Sequence, residues 1–184
     1  WLHVDAAYGG AMVLLPEGCY VMDGVEGADS VVVNPHKWLF VPLDFSALYV
    51  KRPQLLRDTF SLVPEYLRGD ADQAEHNYMD YGIQLGRRFR ALKAWMVIRN
   101  LGTQGFANRI RENVRLARLF ASWIDGDPQF EVMAPVTMAV VCFGIARPAG
   151  RTMTLIDDEG DEVNRRLEDA VNRNGQANFT YTTL

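Results

Sequence analysis

The chain has 184 residues, 48% of them hydrophobic, and a formal net charge of −4, which is enough apolar material for a sizeable core in one or two domains. The negative charge argues against nucleic acid and anionic membrane as partners, and no apolar run reaches the roughly 20 residues that span a bilayer. The two cysteines, Cys19 and Cys142, have no metal-ligand spacing, so we expect no metal site and a reducing, cytoplasmic setting.

In chain order, the first predicted elements are three short strands. Residues 1–6 and 30–34 are mostly apolar, which is typical of buried strands in a parallel sheet. Residues 46–50 predict a third strand. Residues 52–59 predict a short helix, because a proline near its start, Pro53, suits the first helical turn.

The middle of the chain predicts a loop followed by two helices. Residues 66–82 are polar and show no periodicity, which is typical of a long functional loop. Residues 84–100 predict an amphipathic helix that Gly102 ends, and residues 104–124 predict a second helix. The apolar stripe of the first helix is Leu85, Phe89, Leu92 and Met96. The buried stripe of the second helix is Phe106, Ile110, Val114, Ala117 and Ala121.

The last part of the chain predicts strands and one further helix. Residues 130–134 and 136–145 read as strands, and residues 177–184 begin another. Between them, residues 159–174 predict a helix that Gly175 ends. The inward side chains expected on this helix are Val163, Leu167 and Val171. Such a mixture is typical of a small α+β domain.

Two groups with chemical potential follow the first two predicted strands. Asp5 ends the first strand, and Lys37 follows the second between an imidazole and an indole. A lysine amine in apolar surroundings is costly to keep charged, which makes it a candidate for a Schiff base with a carbonyl compound. Pyridoxal 5'-phosphate requires an amine for its aldehyde and an anion for its ring nitrogen. The two motifs together therefore predict a pyridoxal phosphate site.

The two motifs also carry a family resemblance. His-Val-Asp-Ala-Ala-Tyr-Gly-Gly at 3–10 and Asn-Pro-His-Lys-Trp-Leu at 34–39, with similar stretches at 63–67, 84–93 and 140–143, resemble the pyridoxal-phosphate-dependent group II amino-acid decarboxylases. The resemblance is greatest to the aromatic-L-amino-acid decarboxylase branch. It covers most of residues 1–145 and implies a carboxy-lyase that makes an amine and CO2.

The resemblance implies an α/β fold, with part of the fold type I large domain followed by a small C-terminal domain. Residues 1–105 are expected to be the C-terminal part of the large, cofactor-binding domain, with a mobile catalytic loop at about 66–82. Residues 106–184 are expected to be the small α+β domain, cut short at its end. The chain would then hold about the C-terminal two fifths of a subunit, without the family's phosphate-binding loop and stacking histidine. The functional unit implied is a homodimer with its active site at the subunit interface.

The same resemblance assigns roles to individual residues. Lys37 would bind the cofactor aldehyde and later move protons at the substrate α-carbon. Asp5 would hold the ring nitrogen protonated, and Ala7, on the same face of the strand, would leave room for the ring. Asn34 and His36 would donate hydrogen bonds near the cofactor phosphate.

Tyr66 decides between two products. In the family that this sequence resembles, a tyrosine at this point of the loop protonates the carbanion after CO2 leaves, whereas a related aldehyde-forming activity goes with phenylalanine. Tyr66 therefore favours decarboxylation to the amine. Other enzymes of the same fold stay open as alternatives: a glutamate or cysteine-sulfinate decarboxylase, an aldehyde synthase or an aminotransferase. An inactive fragment also stays open.

Two further groups of polar residues have simpler interpretations. His3 lies two residues before Asp5 and is more simply a hydrogen-bonded core histidine than a partner of that carboxylate. Arg87, Arg88 and Arg90 are expected on a solvated helix face with carboxylate or helix-end partners.

Overall fold

The computed structural model describes residues 1–61, 77–146 and 158–182. Tyr66 and most of the predicted loop at 66–82 lie outside the described residues. The chain divides into two compact units, Trp1–Arg111 and Glu112–Leu184. The domain assignment made from the sequence, with its boundary near residue 105, stays a prediction.

A three-stranded sheet organises the first unit. Its strands are β1 (His3–Asp5), β2 (Ser30–Val33) and β3 (Ala47–Val50), in the order β1-β2-β3. β1 and β2 are parallel, and β2 and β3 are antiparallel. All three predicted strands are thus present, and the antiparallel partner makes the sheet mixed. The burial expected for the first strand is wrong, because His3 and Asp5 are exposed.

The crossover between β1 and β2 is built from 3₁₀-helical turns. These span Gly9–Leu14, Pro16–Met22 and Val25–Gly27. Parallel strands require such a long connection, because a tight turn cannot return the chain to the same end of the sheet. A side chain at Gly18 would collide with the carbonyl oxygen of Met12, 2.5 Å from an added Cβ. The small core beneath these turns consists of Ala6, Ala11, Met12, Leu15 and Ala28.

Helices complete the first unit, and the last of them continues into the residues of the second unit. α1 is Pro35–Trp38, α2 is Gln54–Phe60 and α3 is Arg90–Asp125, with a 3₁₀ turn at Tyr78–Tyr81. α2 confirms the short helix predicted after β3. The two long helices predicted around Gly102 form α3, and Gly102 interrupts it with a non-helical φ of 59° and ψ of 175°.

The predicted buried stripe on the first of these helices is wrong. The helix begins at Arg90 instead of residue 84, so the helical period does not apply to Leu85 and Phe89, which are 84% and 75% exposed. Leu92 and Met96 lie within the helix and are exposed as well. An amphipathic pattern identifies a helix face that is suited to burial, but it does not show whether other residues of the same chain pack against that face.

The stripe predicted after Gly102 is confirmed. Phe106 and Ile110 are buried in the first unit, Ile110 completely. Val114, Ala117 and Ala121 continue the stripe and are buried as well. The regular spacing of apolar residues therefore identified the inward face of this part of α3 correctly.

The second unit contains a two-stranded sheet and a helix. β4 (Phe130–Val132) and β5 (Phe143–Ile145) are antiparallel, and α4 is Asp158–Asn174. Asn164 of α4 accepts a hydrogen bond from the backbone of Ile145. Four aromatic rings pack together in this unit, those of Phe120, Phe130, Phe143 and Phe179.

Several boundaries predicted in this unit need correction. Residues 136–142 are not a strand, and residues 177–182 form none either. Val163 is 42% exposed instead of inward. The predicted helix end is confirmed, because Gly175 adopts a left-handed φ of 73° directly after α4. Whether a short segment forms a strand depends on its pairing partner, and the apolar content of the segment does not identify that partner.

Candidate functional site

The parallel pairing of β1 and β2 brings the two sequence motifs together. Asp5 is in register with Val32, and the ladder continues beyond the strands. The Ala6 amide donates to the Val32 carbonyl at 3.0 Å, and the Asn34 amide donates to the Ala7 carbonyl at 3.1 Å. Because neighbouring strands lie about 4.8 Å apart, the two motifs meet at one edge of the sheet.

Asp5 presents an exposed carboxylate at this edge. Its Oδ1 accepts a hydrogen bond of 2.9 Å from the Ala7 amide, while Ala6 and Ala7 are buried beside it. β1 ends at Asp5, so strand alternation does not by itself place Ala7 on the same face. The hydrogen bond between them keeps the carboxylate close to a small side chain.

Lys37 does not lie at the end of a strand. It is the third residue of α1, and its side chain is exposed, whereas the next residue, Trp38, is buried. The Trp38 ring stacks on that of Tyr8, with centroids 4.5 Å apart and an interplanar angle of 4°. The desolvation expected from the sequence neighbours of Lys37 is therefore absent within this chain, because the helical turn separates the directions of adjacent side chains.

A backbone hydrogen bond determines which nitrogen of the His36 ring carries the proton. The Phe45 amide donates to His36 Nδ1 at 2.9 Å, and the His36 amide donates to the Phe45 carbonyl at 3.3 Å. A backbone N–H can only donate, so Nδ1 carries a lone pair and the proton of the ring lies on Nε2. His36 thus offers an N–H donor at its Nε2 atom.

Asn34 is oriented by a neighbouring hydroxyl. Ser46 Oγ donates to Asn34 Oδ1, which leaves the amide NH2 of Asn34 as a donor group. Asn34 directly precedes α1 and is its N-terminal flanking residue. Asn34 and His36 therefore each carry a donor whose orientation is set by the segment that enters β3.

These groups match the chemistry of pyridoxal phosphate. A phosphate requires hydrogen-bond donors, and the Asn34 NH2 and the His36 Nε2–H are groups that could donate to one. A ring nitrogen requires an anion and an aldehyde requires an amine, and the side chains of Asp5 and Lys37 are of these two types. The residues at this sheet edge therefore fit the cofactor that the sequence motifs predicted.

An ion pair anchors the loop beyond α1. Arg90 donates to Asp44 Oδ2 from Nε at 3.1 Å and from Nη2 at 2.8 Å, and Arg88 lies 3.5 Å from Oδ1. The hydrogen bonds from Arg90 are the main cause that lowers the pKa of Asp44 to about 2. The sequence predicts carboxylate or helix-end partners for the arginines but does not identify Asp44 as one, because Asp44 and Arg90 are 46 residues apart. Arg87 instead lies over the ring of Tyr78.

We expect the titration of Asp44 to report this ion pair. Its depressed pKa means that the pair contributes stability above the ordinary carboxyl value of 3.8 and that this contribution is lost as the pH falls toward about 2. Carboxyl ¹³C NMR of the chain should show a midpoint near 2 that rises toward 3.8 in Arg90→Gln. Glu17, whose pKa Arg111 lowers to about 2 in the same way, should keep its midpoint in that variant. An unmoved Asp44 midpoint would contradict the pairing.

Two other sequence predictions concern His3 and Tyr66. His3 Nδ1 is 2.7 Å from the hydroxyl of Ser30, which also accepts a hydrogen bond from the Trp1 indole at 2.9 Å. His3 is thus hydrogen-bonded to Ser30 and not to Asp5, although it is exposed and not part of the core. Tyr66, the predicted proton donor, lies outside the described residues.

The described part of the chain contains neither a metal-type cluster of side chains nor a candidate membrane-spanning helix. Within residues 1–61, 77–146 and 158–182, no three His, Cys, Asp or Glu side chains are grouped in a way that would hold a metal ion. None of the helices in these ranges combines the length and apolar character needed to cross a bilayer.

Comparison with known proteins gives a consistent result. The family model described as pyridoxal-dependent decarboxylase conserved domain matches residues 1–146. Phenylacetaldehyde synthase of a Rosa hybrid cultivar is 41% identical over the whole chain, and tyrosine decarboxylase 1 of Narcissus pseudonarcissus is 40% identical. The chain spans 37% and 36% of these two relatives. The crystal structure of Oryza sativa TDC with PLP and tryptamine matches with a TM-score of 0.87 and 38% identity, over all of this chain and 38% of that one.

Proposed function

The chain belongs to the pyridoxal-dependent decarboxylase family and has part of its fold type I architecture, and on that premise we propose that it forms the cofactor-attaching part of an enzyme that decarboxylates an aromatic L-amino acid to its amine and CO2. The observation that carries the proposal is the parallel pairing of β1 with β2. This pairing places the carboxylate of Asp5 and the segment that bears Lys37 at the same edge of the sheet.

Each residue at that edge has a defined task in the proposed reaction. Bound pyridoxal phosphate supplies an electron sink for the electron pair that remains at the substrate α-carbon when CO2 departs. Lys37 provides the amine that holds the cofactor aldehyde and, once released, moves protons at the α-carbon. Asp5 keeps the ring nitrogen protonated, because a nearby anion favours the cationic form. Asn34 and His36 donate to phosphate oxygens, and Ala7 leaves space for the ring.

The aromatic character of the substrate is inferred from similar proteins. The printed names of the relatives include a tyrosine decarboxylase and a phenylacetaldehyde synthase, and the similar rice structure contains tryptamine. Because the chain spans little more than a third of these proteins, the substrate pocket and the rest of the phosphate site are expected outside the residues discussed above. A cytoplasmic homodimer with a shared active site stays a prediction from the sequence resemblance.

An aldehyde synthase is the second candidate function. The rose relative carries that name and is as similar to the chain as the daffodil decarboxylase, at 41% against 40% identity. Overall similarity therefore does not separate the two activities. Tyr66 favours the decarboxylase, since the aldehyde-forming activity goes with phenylalanine at that point in the family that the sequence resembles.

Product analysis tests the proposed function. A polypeptide that carries this chain, at the length of its relatives, is supplied with pyridoxal phosphate and, in turn, with L-tyrosine, L-tryptophan, L-phenylalanine, L-glutamate or L-cysteine sulfinate. The proposal expects the corresponding amine and an equal amount of CO2. An aldehyde as the main product would favour the synthase, and a keto acid without CO2 would favour an aminotransferase. Turnover of glutamate or cysteine sulfinate alone would overturn the aromatic assignment, and no product from any substrate would favour an inactive fragment.

Tyr66→Phe should shift the product from amine toward aldehyde in that polypeptide. The phenolic hydroxyl is the only group that the substitution removes, so proton return to the carbanion should fail while binding persists. Dissolved O2, which the assay supplies, would then take two electrons from the carbanion to give peroxide, and hydrolysis of the resulting imine would release the aldehyde and ammonia. Chromatography of the products over a time course measures the ratio of aldehyde to amine. Tyr78→Phe is the matched control, because it makes the same substitution at an exposed tyrosine near the end of the loop predicted at 66–82. An unchanged product ratio in Tyr66→Phe would remove Tyr66 from the mechanism.

A further inference from the structure

Three consecutive residues connect the candidate site to α3. Asp44 is held by the two hydrogen bonds from Arg90. The Phe45 amide donates to the imidazole Nδ1 of His36, and the Phe45 carbonyl accepts from the His36 amide. Ser46 donates its hydroxyl to Asn34. The family resemblance implies no role for any of these three residues.

We propose that Asp44, Phe45 and Ser46 form a positioning segment that holds the Asn34 and His36 side chains in the orientation needed to donate to a phosphate group, with the Asp44–Arg90 ion pair as its anchor. The proposal deepens the proposed function and rests on it where the phosphate belongs to the cofactor. The part that concerns the histidine proton stands on the structure of this chain alone.

The imidazole proton is the first property that the segment controls. A phosphate group offers only acceptor oxygens at neutral pH, so an imidazole next to it must present an N–H. The Phe45 amide occupies Nδ1 and so keeps the proton of the neutral ring on Nε2. Without that amide, the ring would also populate the form in which Nε2 bears a lone pair, which repels a phosphate oxygen.

The orientation of the Asn34 amide is the second property. A side-chain amide has an acceptor and a donor end of nearly equal shape. The hydroxyl of Ser46 donates to the oxygen end. The other end, the NH2, is then the end that can donate to a phosphate oxygen. Both phosphate donors are thus selected by hydrogen bonds that come from adjacent residues of one segment.

The anchor explains why the segment can do this. The Arg90 side chain is 23% exposed, and its guanidinium donates to Asp44 through two nitrogens, which restricts its geometry more than a single contact would. The ion pair fixes the residue directly before Phe45, so the position of the Phe45 amide depends on it. The low pKa of Asp44 means that the ion pair persists throughout the physiological range.

The first measurement is the ¹⁵N spectrum of the imidazole groups in this chain. The chain has three histidines, and the signals of His36 are identified by their loss in His36→Gln. The native chain should show a bare Nδ1 and a protonated Nε2 for His36. Asp44→Asn, which removes the charge but keeps the size, should raise the fraction with protonated Nδ1 at least twofold. Glu17→Gln is the control, because it breaks another two-point ion pair with α3, that of Glu17 with Arg111.

The second measurement is the preference for a phosphorylated ligand in the family-length polypeptide. The affinity for pyridoxal phosphate is divided by that for pyridoxal, which lacks the phosphate. Asp44→Asn and Ser46→Ala should each lower this ratio about tenfold, a loss of roughly one charge-assisted hydrogen bond, with the affinity for pyridoxal unchanged. Ser46→Thr, which restores the hydroxyl, should recover the ratio, and Glu17→Gln should retain it. If Asp44→Asn does not fold, Ser46→Ala and Ser46→Thr carry the test.

The outcomes separate the inference from the proposed function. A protonated Nδ1 in the native chain overturns the positioning of His36, and a native phosphate preference in both Asp44→Asn and Ser46→Ala overturns the positioning segment while the enzyme proposal stands. If the native polypeptide binds neither ligand, the enzyme proposal fails, and the imidazole spectra alone decide whether the segment sets the His36 proton.

Discussion

Lys37→Ala should abolish amine formation and remove the absorbance band of lysine-bound pyridoxal phosphate. The substitution would delete both the proposed covalent attachment and the group proposed to move protons at the substrate α-carbon. General acid–base catalysis alone is typically worth about 10²–10⁴-fold, so the combined loss should reach at least the upper end of that range. The measurements are turnover with an aromatic amino acid and the cofactor absorbance spectrum of the family-length polypeptide.

Borohydride reduction gives the same prediction a chemical test. Treatment of the native polypeptide should fix the cofactor irreversibly on one lysine, and peptide mass analysis should place it at Lys37. Lys51→Ala is the control, since Lys51 lies in the same unit and its ammonium donates to the Glu26 carbonyl at 3.1 Å. A cofactor fixed on another lysine, or native turnover in Lys37→Ala, would contradict the assignment of Lys37.

Asp5→Asn should reduce turnover far more than cofactor affinity. Asparagine keeps the size of the side chain and an oxygen that can accept from the Ala7 amide, as Asp5 Oδ1 does at 2.9 Å, but it removes the negative charge. Without that charge the ring nitrogen is less readily protonated, while the phosphate contacts of Asn34 and His36 remain. We expect a fall in kcat of about 10²–10³-fold, the range seen when a single charge-stabilising group is removed, and a change in cofactor Kd below about tenfold.

A second aspartate, next to the same sheet, provides the control for Asp5. Asp29 also accepts a backbone hydrogen bond, from Leu2 at 2.8 Å, but it directly precedes β2, whereas Asp5 is the last residue of β1. Asp29→Asn should leave kcat within about twofold of the native value, since parallel strands place the start of β2 at the opposite edge from the candidate site. Steady-state kinetics and cofactor titration give both quantities. Native turnover in Asp5→Asn would rule out the role at the ring nitrogen.

The two proposals concern different residues at this sheet edge and different parts of the cofactor. Lys37 and Asp5 concern the reactive end of the cofactor, whereas Asp44 and Ser46 concern the end that carries its phosphate. Substitutions at the first pair should therefore change turnover, and substitutions at the second pair should change the preference for a phosphorylated ligand. The contrast allows the two sets of variants to serve as controls for each other.

Much of the first unit was predictable because its signals are local. β1, β2 and β3 are short apolar segments bounded by polar or turn residues, and all three were predicted within about two residues of their observed ends. The stripe through Ile110 was also predictable, since a sustained helical period identifies one face. The motifs around Asp5 and Lys37 could be found because they combine chemistry-bearing residues with strand ends.

The errors occur where burial or pairing depends on residues that are distant in the sequence. Leu85 and Phe89 have the spacing of a helical stripe but precede α3 and are exposed. Residues 136–142 are mostly apolar but do not form a strand, although the Cys142 carbonyl accepts a hydrogen bond from the Met133 amide at 2.8 Å. Lys37 was expected among apolar groups, yet the turn of α1 directs Trp38 inward and leaves Lys37 exposed.

The sequence by itself determined the candidate chemistry: an amine, a carboxylate and two hydrogen-bond donors in motifs that match one cofactor family. Only the tertiary structure decided that β1 and β2 are parallel neighbours, that the Phe45 amide holds the His36 proton on Nε2, and that Asp44 meets Arg90 across 46 residues of chain. The physical reason is the range of the interactions. Side-chain chemistry and helical or strand periodicity are encoded within a few residues, whereas hydrogen bonds between segments depend on which distant segments the folded chain brings within about 3 Å of each other.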